Sequence, residues 1–147
     1  MAGQVTQDSV ALIWLADQSQ TGKAIGALAG RQGPAAIGTI LGPDQVSLMF
    51  ADPRRDSRAP DIIVLPNSGV IYTKADATKI AEHGGFSPEE TAVPILVSAP
   101  SLKPGASRAR VTTTQVAPTI LRALGLDPHA LKAVRQEHTA PLPGVGF

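Results

Sequence analysis

His83, Gly84 and Gly85, at the centre of "KIAEHGGFSPEETAVPILVSAP" (residues 79–100), are the residues whose types and order most suggest chemistry. A neutral imidazole is a borderline-soft nitrogen donor near pH 7 and so an apt zinc ligand. The two glycines after it let the backbone take positive φ and come close to a ligand that a β-carbon would block. Glu82, next to the histidine, is a carboxylate of the kind that can orient a metal-bound ring from behind. One histidine does not make a site, because stable zinc sites use three or four protein ligands. On the local sequence alone, a solvated or capping histidine is the commoner outcome, and both readings of His83 stand.

The residues around it have structural explanations. Ser87, Pro88 and Glu90 fit a helix start, with Ser as N-cap, Pro at the first position and Glu closing a capping box, so neither Ser87 nor Glu90 is assigned to catalysis. His129 and His138 lie in the polar C-terminal region, neither four residues from another histidine, and read as surface residues. Arg54, Arg55 and Arg58 could grip a phosphate, but "ADPRRDSRAP" (residues 51–60) has the composition of a solvated loop. Ser68 stands before Gly69 as a turn residue, and no Gly-x-Ser-x-Gly elbow accompanies it. No phosphate-binding Gly-x-x-x-x-Gly-Lys-Ser/Thr loop occurs. "GKAIGALAG" (residues 22–30) lacks the opening Gly-x-Gly of a dinucleotide fingerprint, and its small residues suit a helix lying close to a sheet.

The elements that must position the histidine follow from hydrophobic patterning. "VALIWL" (residues 10–15) is a short continuous apolar run, expected as a core strand. A short helix is expected over residues 22–31, a strand over 35–41 and a second short helix over 43–50. "DIIVLP" and "GVIYT", parted by Asn67-Ser68-Gly69, read as two strands joined by a tight connection. This alternation predicts a small α/β lobe over residues 1–77. In the remaining segment, 78–147, "VPILVS" (residues 93–98) is expected as a buried strand, with Pro94 tolerated near its start. "TTTQVAPTILRALGLDP" (residues 112–128) is the clearest helix: a Thr cap, an apolar face of Val116, Ile120, Leu121 and Leu124, Pro118 within the first turns and Gly125 at the stop. One or two further helical turns are expected within residues 129–138, then an irregular tail.

Composition narrows the class. The chain has 147 residues, the usual size of one domain, with 43% hydrophobic and 17% charged residues and 14 Gly and 13 Pro that imply many turns. A net charge of +1 from 13 basic and 12 acidic side chains, with 3% aromatics, gives no footprint for nucleic acid. Without cysteine, any metal must be held by His, Asp or Glu. No apolar run reaches the roughly 18 to 20 residues that span a bilayer, so a soluble protein with no membrane partner is expected. The opening "MAGQVTQDSV" does not read as a secretory signal.

"KIAEHGGF", then "VPILVSAP", then "TTTQVAPTILRALGLDP" resemble, in that order, the C-terminal part of the alkaline phosphatase superfamily, nearest to the bacterial type I phosphodiesterase/nucleotide pyrophosphatase-like branch. The resemblance spans residues 79–128, and "VALIWLADQSQ" and "PDIIVLPNSGVIYTK" resemble the preceding stretch of the same branch. It implies an α/β fold, the C-terminal part of an αβα sandwich with a small lobe before the ligand loop. It also implies that His83 binds one of two metal ions, usually zinc, in a phosphoric ester hydrolase. The family's Thr or Ser nucleophile and most of its Asp and His ligands lie upstream of the matching segment and have no counterpart here. The expectation is therefore a truncated hydrolase, incompetent alone, with a phosphate-ester substrate only when completed by upstream sequence. The alternative is a non-catalytic domain of the same descent that binds a partner, or forms a homo-oligomer, through an exposed sheet edge.

Overall fold

A computed structural model of the chain describes residues 2–146; Met1 and the last residue of the tail, Phe147, lie outside it. The chain divides into two units, Met1–Pro94 and Ile95–Phe147.

The first unit is built on a four-stranded antiparallel sheet of β1 (Ala2–Gln7), β2 (Ala11–Leu15), β3 (Ile37–Leu41) and β4 (Ile62–Pro66), in the order β1-β2-β4-β3. Two helices complete it: α1 (Thr21–Ala29), led by a 3-10 turn at Gln18–Gln20, and α2 (Pro43–Val46). Strand β4 is central because its sequence tolerates burial on both faces. Ile62 and Val64 point to one side, where they form a core with Ala11 of β2 and Ile37 of β3, covered by Ala24, Ile25 and Leu28 of α1. Ile63 points to the other side and is also 0% exposed, as is Val46 of α2, which lies against β3 and β4. The glycines of α1 do not serve a close approach to the sheet, since a β-carbon at Gly22 or Gly26 would meet nothing within 4 Å; Ala24, Ile25 and Leu28 make the contact.

Asp61, ahead of β4, is buried at 3% exposure and fully used. Its Oδ2 accepts the Leu15 amide at 2.7 Å, and its Oδ1 accepts Gln18 Nε2, also at 2.7 Å. Gln18 Nε2 also donates to the Pro53 carbonyl at 2.9 Å, so the carboxylate and the glutamine lock the end of β2 to the loop before β4. That loop carries its arginines as a solvated segment would. Arg54 pairs with Asp52 at 2.8 Å and Asp44 at 3.3 Å, and Arg58 pairs with Asp56 at 2.7 Å. The Arg58 bond holds the Asp56 carboxyl down to about 2.

Two expected strands are corrected. "GVIYT" is not a strand: Asn67-Ser68-Gly69 does turn, with the Val70 amide on the Asn67 carbonyl at 3.1 Å and Gly69 at φ 80°, but both flanks of β4 are already occupied by β2 and β3. The segment instead leaves the sheet and returns one bond, from the Tyr72 amide to the Asp8 carbonyl at 2.9 Å. "VPILVS" is not a strand either: among the described residues none pairs with it, and Leu96 within it is 93% exposed. The second expected helix is a single turn, Pro43–Val46, followed by turns to residue 50. A strand was missed at β1, whose polar "AGQVTQ" pairs along β2 through its backbone.

The second unit contains α4 (Val116–Ala123) and α5 (Lys132–Glu137); the first unit also holds a one-turn α3 (Pro88–Thr91). Helix α4 follows a 3-10 turn at Thr113–Gln115, and its N-cap is Gln115 without a side-chain bond rather than the expected Thr; the Thr112 amide donates to Gln115 Oε1 at 2.9 Å, and Pro118 sits in the first turn, where its missing N–H costs nothing. It ends at Gly125, φ 70°, with the Gly125 amide on the Arg122 carbonyl and the Leu126 amide on the Leu121 carbonyl, the paired bonds that close a helix through a left-handed residue. The tail is irregular but anchored. Buried Thr119 donates its hydroxyl to the Gln115 carbonyl at 2.6 Å and accepts the Leu142 amide at 2.7 Å, and Leu142 and Val134 are buried beside it. Among the described residues no helix is long and apolar enough to cross a membrane.

Candidate functional site

The His83 loop is held against the β1–β2 turn by charge. Lys79 Nζ lies 2.8 Å from Asp8 Oδ1 and also pairs with the Glu82 carboxylate, so an exposed cation joins two acidic side chains from distant parts of the chain. Glu82 Oε1 in turn accepts the His83 amide at 2.9 Å. The Glu82 carboxylate is thus engaged by Lys79 and by the backbone of His83, not by the imidazole.

The far side of the loop is fixed by a second carboxylate. Ser87 caps α3 as expected, its Oγ accepting the Glu90 amide at 3.3 Å. Glu90 does not close the reciprocal half of the capping box; its Oε1 accepts the Gly85 amide at 3.0 Å. Gly84 turns through φ 108°, which favours glycine there, whereas a β-carbon at Gly85 would meet only the Glu90 carboxylate and displace it from the Gly85 amide. Ser9, 3% exposed, faces the same carboxylate without a well-aligned hydrogen bond. Partial burial pushes the Glu90 carboxyl up, but the Ser9 hydroxyl, the Gly85 amide and Ser87 outweigh it and hold it below the usual carboxylate range. Phe86 anchors the loop apolarly, edge-on to Phe50 with ring centroids 6.2 Å apart.

The backbone of His83–Gly85 is therefore clamped at both ends by carboxylates, while the His83 side chain is exposed and, among the described residues, makes no hydrogen bond. Such a ring has its nitrogens available for a metal or for a group brought by another chain. Among the described residues there is no cluster of three or more His, Cys, Asp or Glu side chains able to hold a metal ion.

The other two histidines fall together. His129 follows Asp127, whose Oδ1 accepts the His129 amide at 2.9 Å, and His138 ends α5 in the left-handed conformation, φ 53°. Both line one cleft with Arg122 in the C-terminal unit. Reading each as a separate surface residue was right about exposure but missed this meeting, whose signal is a turn at His138 that no residue type announces. The Asp8–Lys79 pair, 71 residues apart, was equally invisible to local patterns.

Comparison of the chain with protein-family models, with curated proteins and with solved structures found no match.

Proposed function

We propose that this chain is the C-terminal portion of a zinc-dependent phosphodiesterase or nucleotide pyrophosphatase-like hydrolase. In this reading His83 is one ligand of a two-metal site whose nucleophile and remaining ligands come from sequence outside the chain. The observation that carries the reading is the His83 loop: an exposed imidazole on a backbone fixed by Glu82 and Glu90, within the ordered motif series of residues 79–128. Metals bound there would supply an activated nucleophilic oxygen and a steadied leaving oxygen. What the chain contributes is placement. The Lys79–Asp8 pair ties the loop to the β1–β2 turn, and the Glu82 carboxylate occupies the His83 amide.

The finer fold belongs to the same proposal: "VPILVS" enters the main sheet of an αβα sandwich once upstream strands are present. The 93% exposure of Leu96 and the 53% and 67% exposure of Ile120 and Leu124 support it, since apolar side chains of this size gain about 1.5–3 kcal/mol each on full burial. The same exposure favours the second reading, a non-catalytic domain that self-associates.

Co-expression with a candidate N-terminal portion, followed by metal analysis and turnover of bis(p-nitrophenyl) phosphate, separates the two. The hydrolase reading expects a complex that holds zinc and turns over substrate, both lost in His83→Ala, while the purified chain stays at the metal-only background. Zinc content and turnover unaffected by His83→Ala, or robust zinc-dependent turnover by the chain alone, would overturn it. A defined oligomer of the chain alone that does not take up the N-terminal portion would establish the second reading.

A further inference from the structure

The C-terminal unit carries a basic cleft that the His83 reading does not use. Arg122 comes from the last turn of α4, His129 from the 3-10 turn Pro128–Ala130, and His138 from the left-handed end of α5. Every ionisable side chain lining the cleft is a base, and among the described residues none of the three makes a side-chain hydrogen bond or ion pair. All three residues line one space, and no acidic residue lines it, a composition that suits an anion better than a cation. Their neighbours are apolar: Val134, Pro128 and Pro141 line the same cleft.

The cleft is held open by contacts that leave the three bases unspent. Arg135, not Arg122, takes up the loop carbonyls, donating to His129 and to Ala130, the latter at 3.2 Å. Gln115 Nε2 donates to the Ala140 carbonyl at 3.2 Å, and Thr119 accepts the Leu142 amide, so the tail after His138 is drawn back along α4 to form the opposite wall. An arginine fork plus two imidazole N–H donors can surround the oxygens of a phosphoryl group, and the proline and valine surfaces can take an apolar substituent on it.

We propose that Arg122, His129 and His138 form a binding site for a phosphomonoester bearing an apolar group. It stands independently of the metal-site reading, since it uses no metal and no residue of the His83 loop. The test is a titration of the metal-stripped, full-length chain, followed by amide and side-chain NMR, with inorganic phosphate in one arm and phenyl phosphate in the other. The expected result is saturable shifts confined to residues around 122, 129 and 138, at least about tenfold tighter for phenyl phosphate than for inorganic phosphate. Arg122→Gln should abolish them, and His129→Gln should weaken them severalfold, with each variant's unperturbed spectrum showing that it is folded; Arg122 and His129 are exposed, so neither substitution removes core packing. Equal binding in both arms would leave the phosphoryl site but remove the apolar part of the proposal. Shifts spread over the surface, no shifts at tens of millimolar ligand, or saturable binding that survives Arg122→Gln would overturn it.

Discussion

"DIIVLP" and "VPILVS" are nearly the same kind of sequence, short apolar runs rich in Ile, Val and Leu with a proline at one end, yet they meet opposite fates. The first becomes β4, hydrogen-bonded on both flanks and with Ile62 and Ile63 fully buried; the second forms no strand and leaves Leu96 almost entirely in solvent. Composition sets the demand for burial, and only partner strands can meet it. Strand β4 has β2 and β3 beside it and two helices over it, whereas the C-terminal unit forms no strand among the described residues that could pair with residues 95–98.

Truncating each run should break the comparison most directly. Ile62→Ala should cost about 2–5 kcal/mol in denaturant unfolding, because it opens a cavity between sheet and α1, whereas Leu96→Ala should stay within about 0.5 kcal/mol. Comparable losses at the two positions would mean that residues 93–98 are packed in solution. A smaller effect is expected in the C-terminal unit, where no strand forms among the described residues and polar contacts hold the tail. Thr119→Val keeps the shape but leaves the Leu142 amide without its acceptor, at about 1–3 kcal/mol, and exchange of that amide should accelerate accordingly.

Smaller still, Gly84→Ala places a β-carbon at φ 108° and should cost about 1 kcal/mol while loosening the His83 loop, visible as altered shifts at His83 and Gly85 with the sheet unchanged. The smallest effect concerns acid. The Glu90 carboxyl is lowered below its usual value of 4.5, so its hold on the loop is fully present above that pH and fades as the pH falls through the lowered pKa. The Gly85 amide resonance should therefore move only below about pH 4.5, and Glu90→Gln should remove that transition.

How much of this was legible follows from range. Strands β2, β3 and β4 and helices α1 and α4 were readable because each carries its own apolar pattern and its own start or stop, as Gly125 does for α4. Strand β1 was not, since "AGQVTQ" is polar and pairs through backbone alone. At the site, His83 and its glycines were visible by type, and Ser87 by its place before a proline. The Lys79–Asp8 tie, the diversion of Glu82 to a backbone amide and the meeting of His129 with His138 depend on where the folded chain returns, which no local window contains.

In the proposed reading His83 is a metal ligand whose partner ligands lie outside this chain. Zinc content of the purified chain by elemental mass spectrometry, measured together with its mass in solution, tests it most directly. The expected result is a folded chain with well under one tightly held zinc per molecule. One tightly held zinc per chain, lost in His83→Ala, would contradict it by placing the missing ligands within this chain or a second copy of it.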